Sequence, residues 1–162
     1  HNSQPWKFVV VRQKNAELAK LAYGANYDQV MEAPVTIALF TDTDLQKRAR
    51  KIARVGGVKN FTDEQLQYFM QNLPAEFARY DAQQTSDYLA LNAGLVAMNL
   101  VLALTDQGIG TNIILGFDKS KINEVLDIEE RFRPEVLITV GYAAEKVEPS
   151  YRLPVDEIID KR

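Results

Sequence analysis

The chain has 162 residues, enough to bury a substantial core. It is 46% hydrophobic and 25% charged with a net charge of -3, values that fit a soluble globular protein and do not favour nucleic acid as a partner. It has no cysteine and a single histidine, His1 at the chain end, so disulfides, thiolate catalysis and a metal site built on several histidines are excluded, and a bound cofactor or carboxylates must carry any chemistry.

The first predicted element is a strand over Trp6 to Val11, rich in β-branched and aromatic residues. A short helix is expected over Asn15 to Tyr23, stopped by Gly24, and Gly24 to Asp28 reads as a turn. Val35 to Phe40 is a nearly continuous apolar strand, the pattern of a strand covered on both faces. Asp42 to Val55 reads as a helix ended by Gly56-Gly57. Thr62 to Gln65 is a capping box opening a helix with Leu66, Phe69, Met70 and Leu73 at helical spacing, and Pro74 is expected to break it.

A long helix follows, from about Asp81 or Ser86 to Gln107. Its second half is apolar on nearly every face, so it is expected to run through the core; the apolar run Ala93 to Leu104 is too short to span a bilayer. Gly108 to Gly110 closes it, Asn112 to Leu115 is a third strand, and Asp118 is expected to cap a helix carrying Ile122, Val125 and Leu126. Glu135 to Val140 is the fourth strand. The tail after Val147 has two prolines and little helical period, and reads as an extended arm. The class is α+β: a small sheet covered by helices.

Several motifs invite a function. Gly108-Ile109-Gly110-Thr111 follows a helix and opens a strand, the reverse of a dinucleotide fingerprint, so it reads as a helix-stopping turn. The basic run Lys47 to Arg54 could grip phosphate or RNA, but without interleaved aromatics it reads as a solvated helix face. Phe69 fits an apolar helical stripe, whereas Phe77 and Tyr80 follow Pro74 and read as pocket walls. Asn2, Ser3 and Gln4 taken singly cap a turn, and Asn26 taken singly suits a left-handed turn.

Taken together, Asn2-Ser3-Gln4-Pro5-Trp6 before an apolar strand, Asn26 to Val30 ahead of Ala33-Pro34, Gly108 to Thr111 with Ile114 to Asp118, and Pro149 to Pro154 with Asp156 to Ile158 resemble the FMN-dependent nitroreductase family, in order and across essentially the whole chain. The resemblance implies a nitroreductase-like fold: a small, mostly antiparallel sheet, a long buried central helix and an extended C-terminal arm, in one FMN-binding domain over 1–162. In the family a helix carrying an Arg-x-Ser-x-Arg type motif precedes the first of these motifs, so such a front end is expected ahead of His1. An intertwined homodimer with FMN at the subunit interface is also implied.

The resemblance assigns FMN-binding roles residue by residue. Asn2, with Ser3 and Gln4 beside it, matches a turn residue that touches flavin from the partner subunit. Asn26 and Gln29 match positions that hydrogen-bond the ring or ribityl chain. Gln29 stands where some members have lysine, and offers a donor without charge. Ile113, Leu115 and Gly116 match the stretch lining the ring near N5, with Leu115 where several members have glutamate. Arg152 matches the phosphate-binding arginine, and Ser150 takes the place of a second basic residue in some members, so Arg152 carries that role with little cationic support.

The implied activity is a cytoplasmic oxidoreductase passing electrons from NAD(P)H through bound flavin to an electron-poor acceptor such as a nitroaromatic or quinone, with no protein side chain as catalyst and no metal, nucleic acid or membrane partner. The alternative is an FMN-binding module without turnover, acting as a flavin carrier.

Overall fold

A computed structural model describes residues 1–13, 15–58, 61–145 and 150–162. Four strands, β1 (Trp6–Val11), β2 (Val35–Asp42), β3 (Gly110–Ile114) and β4 (Phe132–Gly141), form an antiparallel sheet in the order β1-β2-β4-β3. The two central strands are covered on both faces. On one face Ala38, Phe40 and Leu137 pack with Leu18, Val30, Phe117 and Ile122, which come from α1 (Asn15–Ala19), α2 (Asn26–Glu32) and α7 (Ile122–Leu126) and the segments between them. On the other, Leu39 and Ile138 pack with Ala93 and Ala97 of the long helix α6 (Ala82–Asp106). Phe40 is fully buried at the sheet centre, where burial of such a side chain contributes about 2–3 kcal/mol.

A β-bulge sits between the central strands: Leu39 pairs with Val136 and Phe40 with Pro134, leaving Glu135 as the extra residue. Its buried carboxylate accepts from Thr41 Oγ1 at 2.5 Å and from Arg133 Nε at 2.8 Å. Arg133 Nη1 also donates to Ser86 Oγ at 2.8 Å, which ties the sheet to α6.

A third cluster packs Leu45 and Ala49 of α3 (Leu45–Val58) and Leu89 of α6 against Leu73 and Phe77 of a helical rod that starts with α4 (Asp63–Gln67) and runs to Phe77. The capping box at Thr62 and Gln65 forms as expected. Pro74 does not end the rod. A π-turn over Tyr68–Asn72 precedes α5 (Leu73–Phe77), which places Pro74 in the first turn of the new segment, where its missing N–H costs no hydrogen bond.

Other expectations need correction. Gly24 is the left-handed turn residue (φ 57°), and Asn26 begins α2 instead of lying in a turn. Gly56-Gly57 do not stop α3, which continues to Val58; at Gly56 a Cβ would lie 2.1 Å from the Phe61 ring, so glycine there permits close packing. Asp118 does not cap α7, whose N-cap position is Lys121. Its carboxylate instead accepts from Ser120 N at 3.0 Å and Ser120 Oγ at 2.6 Å, and these bonds, the hydroxyl first, hold Asp118 below the usual carboxylate range.

The long helix is present, capped by Asp81 with Gln84, but within one chain it is not a buried central helix. Leu89, Ala93 and Ala97 face inward, while Leu91 and Leu95, at 64% and 65% exposure, Met98 and Leu102 form an open apolar face. At 25 residues it also has the length and apolarity of a membrane span, which the apolar run alone understated. Its inward face packs on the sheet as one layer of this fold. The tail from Ser150 is exposed and carries one short 3₁₀ turn at Val155–Glu157, in keeping with an arm; Pro149 lies outside the described residues.

Candidate functional site

The N-terminal turn is the first of two places where the expected site residues cluster. Asn2 and Gln4 both take left-handed backbone conformations (φ 50° and 45°), which non-glycine residues adopt at a cost of about 1–2 kcal/mol. Three neighbouring elements hold them there. Arg48 of α3 donates from Nε to Ser3 O at 3.3 Å and from its guanidinium to Gln4 O. Ser3, 1% exposed, shares a 2.6 Å hydrogen bond with Tyr88 OH of α6. The N–H of Asp42, at the end of β2, donates to Pro5 O at 2.6 Å. Gln4 Nε2 donates to Asn2 Oδ1 at 2.9 Å, so the two exposed side chains act as a pair. They line a cleft of about 370 Å³ with Arg48, Lys51, Ile52 and Phe61.

His1 extends this turn onto the rod. Its ring meets Tyr68 OH at 2.7 Å and Glu76 Oε1 at 3.0 Å. Phe77 and Tyr80, expected as pocket walls, instead pack with Tyr68 and Tyr88 in an aromatic cluster, and Phe77 is buried. Phe69 flanks the same cluster, as its stripe implied. Burial, and then the neighbouring Glu76 carboxylate, push the Tyr68 and Tyr80 phenols above their ordinary value, so these hydroxyls stay protonated at neutral pH.

The second cluster joins α2 to β3. Asn26 and Gln29, three residues apart, share one face of α2. Asn26 Nδ2 donates to Gly116 O at 3.3 Å, and Tyr23 N donates to the same oxygen at 2.9 Å. Gln29 Oε1 accepts from Asn112 Nδ2 of β3 at 2.5 Å. Each amide therefore engages the protein at one end, leaving Asn26 Oδ1 as an acceptor and Gln29 Nε2 as a donor for a ligand. Ile113 and Leu115 on the same stretch are exposed, Leu115 at 67%, but Ile113 pairs with Ile138 on the α6 side of the sheet, the face opposite Asn112. Gly116 is required for this approach: a Cβ would lie 3.0 Å from Asn26 Nδ2. The arrangement suits a planar heteroaromatic ligand whose edge alternates N–H and C=O groups.

One chain does not unite the two clusters. The turn leads into β1 and Gly116 follows β3, at opposite edges of the sheet, about 14 Å apart at the strand spacing alone. Arg152 joins neither; it hydrogen-bonds its own neighbours, Ser150 Oγ at 2.5 Å and Tyr151 O at 2.8 Å.

Sequence reasoning did not single out Arg48, Tyr88 or Asn112. Arg48 lies inside the basic run read as a solvated face. Its spacing from Leu45, Ala49 and Ile52 on the apolar side of the helix was the available signal.

Comparison with known proteins identifies the family and the fold. The profile described as the nitroreductase family matches residues 1–142. A Streptococcus pyogenes protein provisionally named NAD(P)H nitroreductase Spy0809 is 62% identical, covering 100% of this chain and 80% of the relative. The crystal structure of a nitroreductase family protein from Streptococcus pneumoniae superposes with a TM-score of 0.97 at 85% identity, covering 100% of this chain and 81% of that one. A provisionally named nitroreductase from Exiguobacterium sibiricum, solved in complex with FMN, superposes at 0.90 with 30% identity, covering 99% of this chain and 78% of that one.

Proposed function

The chain belongs to the nitroreductase family and is an NAD(P)H-dependent flavin oxidoreductase, and on that premise we propose that it reduces an electron-poor acceptor such as a nitroaromatic or quinone at a flavin site shared between two copies. The observation that carries this reading is the row of Asn26, Gln29 and Asn112 amides gathered at Gly116, at the end of a strand that also exposes Ile113 and Leu115. These residues fit FMN. Gln29 Nε2 would donate to a pyrimidine carbonyl and Asn26 Oδ1 would accept from a ring N–H, and Gly116 lets the Asn26 amide approach the strand. When bound, FMN would supply the redox chemistry between NAD(P)H and the acceptor.

The protein's own part is binding and exclusion of water. Leu115 and Ile113 offer an apolar face with no proton to exchange, and Arg152 offers a bidentate fork to the flavin phosphate. Asn2 and Gln4 reach the site from the second copy, while the buried Ser3 anchors their turn on Tyr88, a role supported by the wide separation of the two sheet edges. The open apolar face of Leu91, Leu95, Met98 and Leu102 supports the same pairing, since a patch of that kind marks an association surface. The absence of cysteine suits a reducing cytosol.

The test is the visible spectrum of the purified protein after FMN loading and desalting, followed by anaerobic NADPH and then a quinone. Retained flavin that bleaches with NADPH and returns with quinone is the expected result. Retained flavin that stays yellow would refute turnover and leave a flavin carrier. Sedimentation should give a dimer, and Leu95→Asp should give monomer with loss of bound FMN.

A further inference from the structure

We propose that the basic face of α3 forms a phosphate-binding cleft adjoining the N-terminal turn, and that it takes a small phosphorylated ligand. A cleft of about 390 Å³ lies beside the one that holds Asn2 and Gln4, and its wall carries Lys7, Lys47, Arg48, Lys51 and Arg131. Two carboxylates share the wall, and both face Arg131: Glu129 Oε2 is 3.3 Å from its Nε, and Asp42 Oδ2 is 3.9 Å from its Nη2. No ion pair among the described residues involves Lys7, Lys47, Arg48 or Lys51. Arg131 Nη1 is buried without a hydrogen-bond partner.

The remaining contacts of these cations are not with anions. Lys7 Nζ lies 4.4 Å from the centre of the Phe132 ring and the Arg131 guanidinium 4.7 Å from the same ring, which sets two cations on one aromatic support. In a chain of net charge -3, four such cations around one concavity focus positive potential where a small anion fits and a nucleic-acid duplex does not. Phosphate matches this donor set because guanidinium and ammonium groups can surround its oxygens.

Arg48 and Lys51 line both clefts, so a ligand can lie across them with its anionic part on α3 and its remainder beside Asn2 and Gln4. Two sources supply that chemistry: the phosphates of NAD(P)H, an assignment that rests on the function proposed above, or a separate phosphorylated effector. The basic run is thus divided. Lys47, Arg48 and Lys51 face the cleft, whereas Arg50 and Arg54 carry the same charge on the same helix and line neither cleft.

The experiment is calorimetric titration of FMN-saturated protein with inorganic pyrophosphate, which needs no turnover; the flavin spectrum reports separately whether the flavin reading holds. Binding is expected, weakened about tenfold in the double variant Lys47→Gln, Lys51→Gln and by less than about twofold in Arg50→Gln, Arg54→Gln. Absence of pyrophosphate binding, equal weakening in both double variants, or release of FMN by pyrophosphate would overturn the proposal. Inhibition competitive with NADPH would identify the co-substrate's phosphates as the source, and binding without such competition a separate effector.

Discussion

Replacing Gly116 with alanine tests the amide row directly. The new Cβ would stand 3.0 Å from Asn26 Nδ2 and 3.9 Å from Tyr23 Cδ2, so the Asn26 amide must retreat by a few tenths of an ångström. Its hydrogen bond to Gly116 O is already 3.3 Å long, so the retreat breaks it and moves the acceptor that faces the ligand. A ligand hydrogen bond to the displaced Asn26 Oδ1 contributes about 1 kcal/mol, and its loss predicts FMN binding weakened about fivefold. Stability should change little, because loss of the Asn26 bond and a backbone gain oppose each other. The positive-φ glycines are Gly24 and Gly108, so alanine at 116 meets no left-handed strain and gains about 0.4–1 kcal/mol from a less flexible unfolded chain. Flavin fluorescence titration beside a thermal melt reads both terms. Unchanged affinity, or a loss of affinity matched by collapse of the melting temperature, would refute the role given to this approach.

Three further outcomes are expected. Ser3→Ala leaves Tyr88 OH without its 2.6 Å partner and should cost about 1–2 kcal/mol in urea unfolding. Gly24→Ala has open space for its Cβ but sits at φ 57°, so it should cost about 1 kcal/mol through backbone strain alone, read in the same assay. Asp118 has a depressed folded pKa, so its contribution to stability is complete above the unfolded carboxylate value, near pH 4, and is lost as pH falls through the lower folded value. Ser120→Ala removes the hydroxyl that is the largest single cause of the depression, and should move the Asp118 titration upward in an NMR pH series and flatten the acid loss of stability.

The strands were legible because their burial leaves a direct mark on composition. Val35 to Phe40 has two covered faces and is apolar but for Thr36, and the observed β2 adds only Thr41 and Asp42. Helix ends were less legible where a residue had two physical uses. Glycine at 56 serves the Phe61 ring and not chain termination, and Pro74 is accommodated by a π-turn that no local pattern announces. The apolarity of α6 pointed to burial, but one side meets the sheet and the other is open, a distinction that composition does not carry. At the candidate site, Asn26, Gln29 and Gly116 were found by resemblance and do lie together. Arg48 was missed because a guanidinium that holds backbone carbonyls looks, in sequence, like one that faces water.

The placement of Asn2 and Gly116 at opposite edges of the sheet has a genetic consequence. If each flavin site takes its turn from one copy and its amide row from the other, defects in the two halves belong to different complementation groups. A chain crippled at Asn2 and a chain crippled at Gly116 are each inactive as homodimers, yet a hybrid concentrates both lesions in one site and leaves the other whole. Unfolding and refolding an equal mixture should return about a quarter of the wild-type sites from two dead parents. Two variants with lesions on the same edge, mixed in the same way, should return none.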